Sequence, residues 1–194
     1  MKIGVLALQG AVEEHIHAIE GIGAEGIAIK NAEQLNEIDG LILPGGESTA
    51  MRKLIDYHEM MPALKDFKKP ILGTCAGLIL LADCVEGSEA HIGGMIIWVR
   101  RNSFGRQIDS FSTELTVQGL DTPYEAVFIR APHIDRVGEG VEVLATYGDK
   151  IVLVQQGNKI GCAFHPELTD DLRIMELLKE QIQQSKLAQP SNVL

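Results

Sequence analysis

The stretch from Pro70 to Leu81 constrains this chain most. The apolar pair Ile71-Leu72 stops at Gly73, then Thr74-Cys75-Ala76-Gly77 leads into Leu78-Ile79-Leu80-Leu81. A G-x-C-x-G segment between strand and helix reads as the cysteine form of a nucleophile elbow, a sharp turn that lifts one side chain clear of the sheet edge. Gly73 and Gly77 fit because backbone crowds backbone in such a turn, where a Cβ would clash. The first helical turn beyond it offers unpaired N–H groups and the positive end of the helix dipole, which favour negative charge on a sulfur. The same residues also read as a buried cysteine ending a core strand, and the motif alone does not choose between the two.

The surrounding pattern supports a strand-to-helix context. Ile3 to Leu8 is an almost continuous apolar run, the mark of a strand covered on both faces in a parallel sheet. Val12, Ile16, Ile19 and Ile22 then recur at helical spacing. Ile27 to Ile29 and Leu41 to Leu43 predict two further strands, and Met51, Leu54 and Ile55 a helix. Pro70 to Thr74 predicts a fourth strand, with a helix over Leu78 to Ala82. Gly21-Ile22-Gly23-Ala24-Glu25-Gly26 matches G-x-G-x-x-G, yet it closes a helix and precedes a strand. That is the reverse of a dinucleotide fingerprint, and we read it as a helix C-cap and loop.

Strand-like runs crowd the second half: Ile96 to Val99, Leu115 to Val117, Val127 to Ile129, Val141 to Leu144, Ile151 to Val154 and Ile160 to Phe164. Few helices separate them, so part of that half is expected to be antiparallel. A last helix runs from Leu172 to about Leu187, with Leu172, Met175, Leu178 and Ile182 on one face. The expected fold is α/β: a single domain over residues 1–187 with a doubly wound, mostly parallel sheet flanked by helices. Residues 188–194 read as a disordered tail.

Composition narrows the function. The formal charge of −10, with no basic stripe, disfavours nucleic-acid binding. Three cysteines without a C-x-x-C spacing argue against a disulfide framework or structural zinc, and favour a reducing cytoplasm. No signal-peptide pattern is seen, and no apolar run approaches the roughly 20 residues that span a bilayer.

A cysteine nucleophile needs a base, and usually a group that orients the base. Of the six histidines, His15 and His17 stand beside Glu13 and Glu14 and read as a solvated helix face. His58 and His91 fall in helix-end or loop contexts. His133 follows Ala131-Pro132 in a loop and is the one rival. His165 ends the apolar run from Ile160 and is followed by Pro166-Glu167. The proline pushes His165 into an extended conformation, which keeps Glu167 on its side of the chain and able to bond one ring nitrogen. A Cys75–His165–Glu167 triad is therefore the favoured reading. Acyl transfer also needs oxyanion donors. Ala76 N–H is one; the Pro44-Gly45-Gly46-Glu47-Ser48 turn at the same sheet edge offers another, and also reads as a plain tight turn with Ser48 as N-cap.

The elbow, the Pro-Gly-Gly-Glu-Ser turn and the late His-Pro-Glu, in this order, resemble class I (triad) glutamine amidotransferases. Leu8-Gln9-Gly10, Leu43 to Thr49, Arg101-Asn102-Ser103-Phe104-Gly105-Arg106-Gln107, Phe128 to Pro132 and Phe164 to Leu168 are similar, more narrowly, to the glutaminase subunits of pyridoxal 5′-phosphate synthases. The resemblance covers nearly the whole chain. It implies that Cys75 attacks the side-chain amide of L-glutamine to give a glutamyl thioester and ammonia. His165, oriented by Glu167, would carry the protons, with the backbone of Gly46 and Ala76 as oxyanion hole. It implies that Gly46, Glu47, Ser48, Arg101, Ile129 and Arg130 hold glutamine, with Arg100 and Arg106 as neighbouring candidates. It further implies ammonia delivery to a synthase subunit in a large hetero-oligomer, docking felt at Gln9, Gly10 and Gly45, and no cofactor, metal, membrane or nucleic acid. A glutaminase for another synthase, and a silent regulatory subunit on the same fold, are the alternatives.

Overall fold

The computed structural model describes residues 1–101, 103–104 and 109–188. Asn102, Gly105, Arg106 and Gln107 of the Arg101–Gln107 motif, and residues 189–194 of the expected tail, lie outside the described residues.

The first half alternates strand and helix as its apolar runs predict. β1 (Lys2–Leu6) leads to α1 (Val12–Gly21), β2 (Glu25–Ile29) and, after a 3₁₀ turn, β3 (Gly40–Leu43). Then come α2 (Ser48–Tyr57), α3 (Met61–Asp66), β4 (Ile71–Thr74) and α4 (Ala76–Leu81). The G-x-G-x-x-G stretch is the loop expected of it: Ile22 caps α1, Gly23 has φ of +80°, and β2 starts at Glu25.

The second half runs β5 (Ala82–Val85), β6 (Met95–Arg100), β7 (Ser110–Leu115), β8 (Tyr124–Ile129), β9 (His133–Val137), β10 (Glu142–Tyr147), β11 (Lys150–Gln156) and β12 (Lys159–Cys162). α5 (Arg173–Ala188) closes the described chain, so Ala188 belongs to a helix rather than to the tail. Two expectations shift, and one helix is added. The α4 helix ends at Leu81, because Ala82 turns to extended backbone (φ −69°, ψ 135°) and opens β5. His133 begins β9 rather than sitting in a loop; the strand leaves little trace in the sequence because only Ile134 of His133-Ile134-Asp135-Arg136-Val137 is fully buried. The α3 helix, six residues long, carries too little periodicity to be read.

In the main sheet of the described residues the strands run β2-β1-β3-β4-β12-β11-β9-β6-β5, with β10 paired to β11, and β7 and β8 form a separate ribbon. Pairing from β2 to β12 is parallel, whereas β11 is antiparallel to β12, β10 and β9. The sheet is therefore mixed, parallel from β2 to β12, antiparallel from β12 through β11 and β9 to β6, and parallel again where β5 joins β6 at the edge. α5 buries Ile174, Met175, Leu178 and Ile182, and all six residues of α4 are buried. Each such leucine or isoleucine contributes on the order of 1.5–3 kcal/mol by leaving water. No helix among the described residues is long and apolar enough to cross a membrane.

One pairing positions the site. β12 lies parallel beside β4 with Gly161 opposite Gly73 and Cys162 opposite Thr74. The chains leaving β4 and β12 thus emerge at the same rim, and these are the segments that carry Cys75 and His165.

Candidate active site

Cys75 sits at φ +52°, ψ −104°, a conformation that non-glycine residues avoid and that costs on the order of 1–3 kcal/mol. Its surroundings impose it. Cys75 N–H donates to the Cys162 carbonyl at 2.8 Å, continuing the β4–β12 ladder into the turn. A Cβ on Gly77 would collide with the Leu43 carbonyl oxygen, and one on Gly73 would lie 2.6 Å from the Gly77 oxygen. The elbow is packed too closely for side chains at either position, as its two glycines predict. Cys75 is only 7% exposed, and its Sγ lies 3.9 Å from the Ile129 carbonyl oxygen.

His165 follows β12 and donates its N–H to the Val127 carbonyl at 2.8 Å. Pro166, Glu167 and Leu168 form a 3₁₀ turn rather than extended chain, and this turn folds Glu167 back under the histidine. His165 Nδ1 lies 2.6 Å from Glu167 Oε1, the expected contact reached by a different backbone. The His165 ring and the Cys75 Cβ both border Gly45: a Cβ added there would lie 2.8 Å from His165 Cε1 and 3.5 Å from Cys75 Cβ. Three segments distant in sequence meet at that point. His133, the rival base, pairs with Asp135 across 3.7 Å instead.

Sequence reasoning missed one residue of this cluster. His15 is not on a solvated face: it is fully buried, with Nδ1 2.6 Å from the Ala11 carbonyl, Nε2 3.0 Å from Thr74 Oγ1 and 3.5 Å from Glu167 Oε2. The signal was available, because His15 shares the helical stripe of Val12, Ile19 and Ile22. His17 is exposed.

Burial by itself would lower the His165 pKa, but the neighbouring Cys75 sulfur and the hydrogen-bonded Glu167 carboxylate raise it to about 10. Burial works to raise Glu167, and the bond to His165 with the nearby His15 overcomes this and holds its carboxyl below the usual range. Burial pushes His15 down from 6.5 against the opposing charge of Glu167. Cys162, fully buried and bonded to the Phe164 carbonyl at 3.3 Å, is pushed well up by burial and is an inert thiol.

A cavity of about 470 Å³ opens over Cys75, lined by Gln9, Gly46, Glu47, Ser48, Ala76, Ile79, Arg101, Arg130 and Pro132. Gln9 and Gly10 brace its glycine wall. Ala11 N–H donates to Gly45 O at 3.1 Å, Glu47 N–H donates to Gln9 Oε1 at 2.9 Å, and a Cβ on Gly10 would strike Gly45 O. The cap of α2 is Glu47 rather than Ser48: its carboxylate accepts from Thr49 N–H and Ala50 N–H at 3.1 and 2.6 Å. Ser48 is the first helical residue and is buried at the cavity. Arg101 bonds Thr49 and Ser88 through its terminal nitrogens at 3.4 Å each, and its buried Nε is without a partner among the described residues. Arg130 stands at the mouth with φ of +44°. Arg100 turns away to Asp135 at 3.2 Å, and Arg106 lies outside the described residues. Ile129 contributes its carbonyl above the sulfur.

A cysteine beside a raised-pKa histidine, itself held by a carboxylate, suits acyl transfer through a thioester. Comparison with known proteins points the same way. A solved structure described as a glutamine amidotransferase superposes with a TM-score of 0.88 at 42% identity, covering 93% of this chain and 98% of that one. Pyridoxal 5'-phosphate synthase subunit PdxT of Haemophilus ducreyi is 62% identical over 93% of this chain and 96% of its own length. The protein of the same name from Geobacillus kaustophilus is 56% identical over 97% and 98%. The model of the SNO glutamine amidotransferase family matches residues 5–184, most of the chain and every segment of the site. Sequence, fold and cavity thus agree that this chain belongs to the SNO glutamine amidotransferase family.

Proposed function

We propose that this chain is the glutaminase subunit of a pyridoxal 5′-phosphate synthase. It hydrolyses L-glutamine to L-glutamate and ammonia and passes the ammonia to a synthase subunit. The observation that carries the reading is the meeting of Cys75 and His165 against Gly45, with Glu167 bound to the far side of the imidazole. The names of the relatives supply the synthase context.

Cys75 Sγ gives its proton to His165 and attacks the amide carbon of glutamine. The new C–S bond places negative charge on the carbonyl oxygen, which Ala76 N–H and Gly46 N–H receive. Collapse breaks the C–N bond as His165 returns the proton to the leaving nitrogen, and ammonia departs. Water, deprotonated by His165, then cleaves the thioester and frees glutamate. A pKa near 10 suits the first half of this cycle, since it keeps the ring protonated beside the sulfur until ammonia leaves. Arg101 and Arg130 face the cavity where a guanidinium grips the α-carboxylate of glutamine with paired hydrogen bonds. Gly46, Glu47, Ser48 and Ile129 complete the substrate wall.

The synthase subunit joins the ammonia to a pentose phosphate and a triose phosphate, in the cytoplasm, within a large hetero-oligomer. Gln9, Gly10 and Gly45 couple docking to the oxyanion wall, because the Gln9 side chain accepts from Glu47 N–H, Ala11 N–H donates to Gly45 O and Gly10 packs on Gly45, all beside Gly46. The test is a reconstituted complex supplied with glutamine or with ammonium salt. Wild-type chain supports synthesis from both, Cys75→Ala from ammonium only, and a glutamine-like chloroketone labels Cys75 but not Cys84 or Cys162. Glutaminase rates equal with and without the synthase would reject the coupling, and uniform labelling of all three cysteines would reject the nucleophile.

A further inference from the structure

The triad reading leaves His15 without a task, although it is fully buried against Glu167. A carbonyl oxygen only accepts, so Nδ1, 2.6 Å from Ala11 O, carries the ring hydrogen. Burial keeps the ring neutral, so Nε2 presents a lone pair and accepts from the Thr74 hydroxyl at 3.0 Å. Glu167 then has two unlike oxygens. Oε1 takes the hydrogen of His165 at 2.6 Å, whereas Oε2 is buried, lacks a donor among the described residues and faces the His15 ring at 3.5 Å. A donor reaching Oε2 would draw charge from Oε1 and weaken its hold on His165.

We propose that His15 is a positioning residue for the triad: its neutral ring seals the far oxygen of Glu167 from water and directs the carboxylate onto His165. The inference rests on the glutaminase reading and deepens it. Ala11 and Thr74 fix the ring from both ends, one on the turn before α1 and the other at the end of β4. The ionisable groups around it are Glu14 on α1, His165 and Glu167 on the turn after β12, and, facing Glu167 and His165, Cys75 on the elbow and Cys162 on β12.

The test is the pH profile of glutamine cleavage by the complex with the synthase, for His15→Asn, Glu167→Gln and the double variant. Asparagine retains a donor for Ala11 O but leaves room for water beside Oε2. His15→Asn is expected to lower kcat about tenfold, a fraction of what positioned proton transfer contributes, and to change KM for glutamine less than about twofold. The alkaline limb of its profile moves to lower pH, because His165 loses part of its stabilisation as a cation. Added to Glu167→Gln, it costs less than a further twofold or so, since its route of action is already cut. His15→Gln, which refills more of the space, recovers most of the rate. Thr74→Val, which frees Nε2, shifts the limb the same way by less and serves if the asparagine variant does not fold. A wild-type rate and profile in His15→Asn overturns the inference. So does a loss that is equal at every pH and of the same size whether or not Glu167→Gln is also present. If Glu167→Gln itself changes nothing, the triad reading falls first, and that outcome is distinct.

Discussion

The floor of the cavity and its rim are built in different ways. On the floor, Cys75 and Glu167 are buried, His165 is mostly so, and backbone holds the group: the β4–β12 ladder sets the cysteine, Val127 anchors the histidine, and no side chain fits at Gly45, Gly73 or Gly77. On the rim, the Arg130 side chain is 75% exposed and reaches Asp109 only at 4.0 Å, while Arg101 hangs on two hydroxyls at 3.4 Å. Close packing leaves the floor one geometry, which a reaction needs because its barrier depends on sub-ångström placement. The rim has only to recognise charge, and exposed polar contacts suffice for that. Floor changes should therefore strike turnover and rim changes affinity.

The largest effect tests the floor. His165→Asn removes the proposed proton carrier and should reduce kcat by about 10²–10⁴-fold with KM little altered, measured as glutamate release by the complex. The pH profile sharpens the same point. A pKa raised to about 10 means that the imidazolium is favoured, so the pair with Cys75 persists below that value and rate is lost as pH climbs through it. Glu167→Gln removes part of the cause, and the limb should retreat toward the ordinary histidine value of 6.5. An unmoved limb would show that Glu167 does not set it.

Gly77→Ala comes next. Its Cβ meets the Leu43 carbonyl, which belongs to a central strand and cannot move aside cheaply. Overpacking of this kind should destabilise by about 1–3 kcal/mol in urea unfolding and disturb the elbow as well. At the rim, Arg101→Lys keeps the charge but loses the fork, and should raise KM for glutamine about tenfold with kcat nearly unchanged. If instead kcat falls and KM holds, Arg101 belongs to the floor. The smallest change is Glu47→Ala. Losing the α2 cap should cost about 1 kcal/mol and lower Tm by about 2–4 °C in a chain of this size.

Much of the floor is legible in residue order, because each of its parts is local. The elbow needs its two glycines, and His165-Pro166-Glu167 brings base and carboxylate together within three positions. Either 3₁₀ or extended backbone satisfies that pairing, which is why the contact is readable from the sequence while the turn is not. The rim is less legible. Glu47, not Ser48, caps α2, since both are good acceptors at adjacent positions and the turn geometry chooses between them. Arg100 and Arg101 are neighbours on a strand end, and only the alternation of side chains there sends one to Asp135 and the other to the cavity.

His15 marks the boundary most sharply. Along the chain it is a histidine among Glu13, Glu14 and His17, and in the folded protein it lies sealed beneath Glu167. By itself the order of residues determined the α/β class and singled out Cys75, His165 and Glu167 as a group, since hydrophobic period and backbone-restricted residues act over short range. Only the tertiary structure decided which face of α1 meets the end of β4, and so which histidine is buried. Burial is a property of what packs on a residue from elsewhere in the chain, and no local pattern carries that.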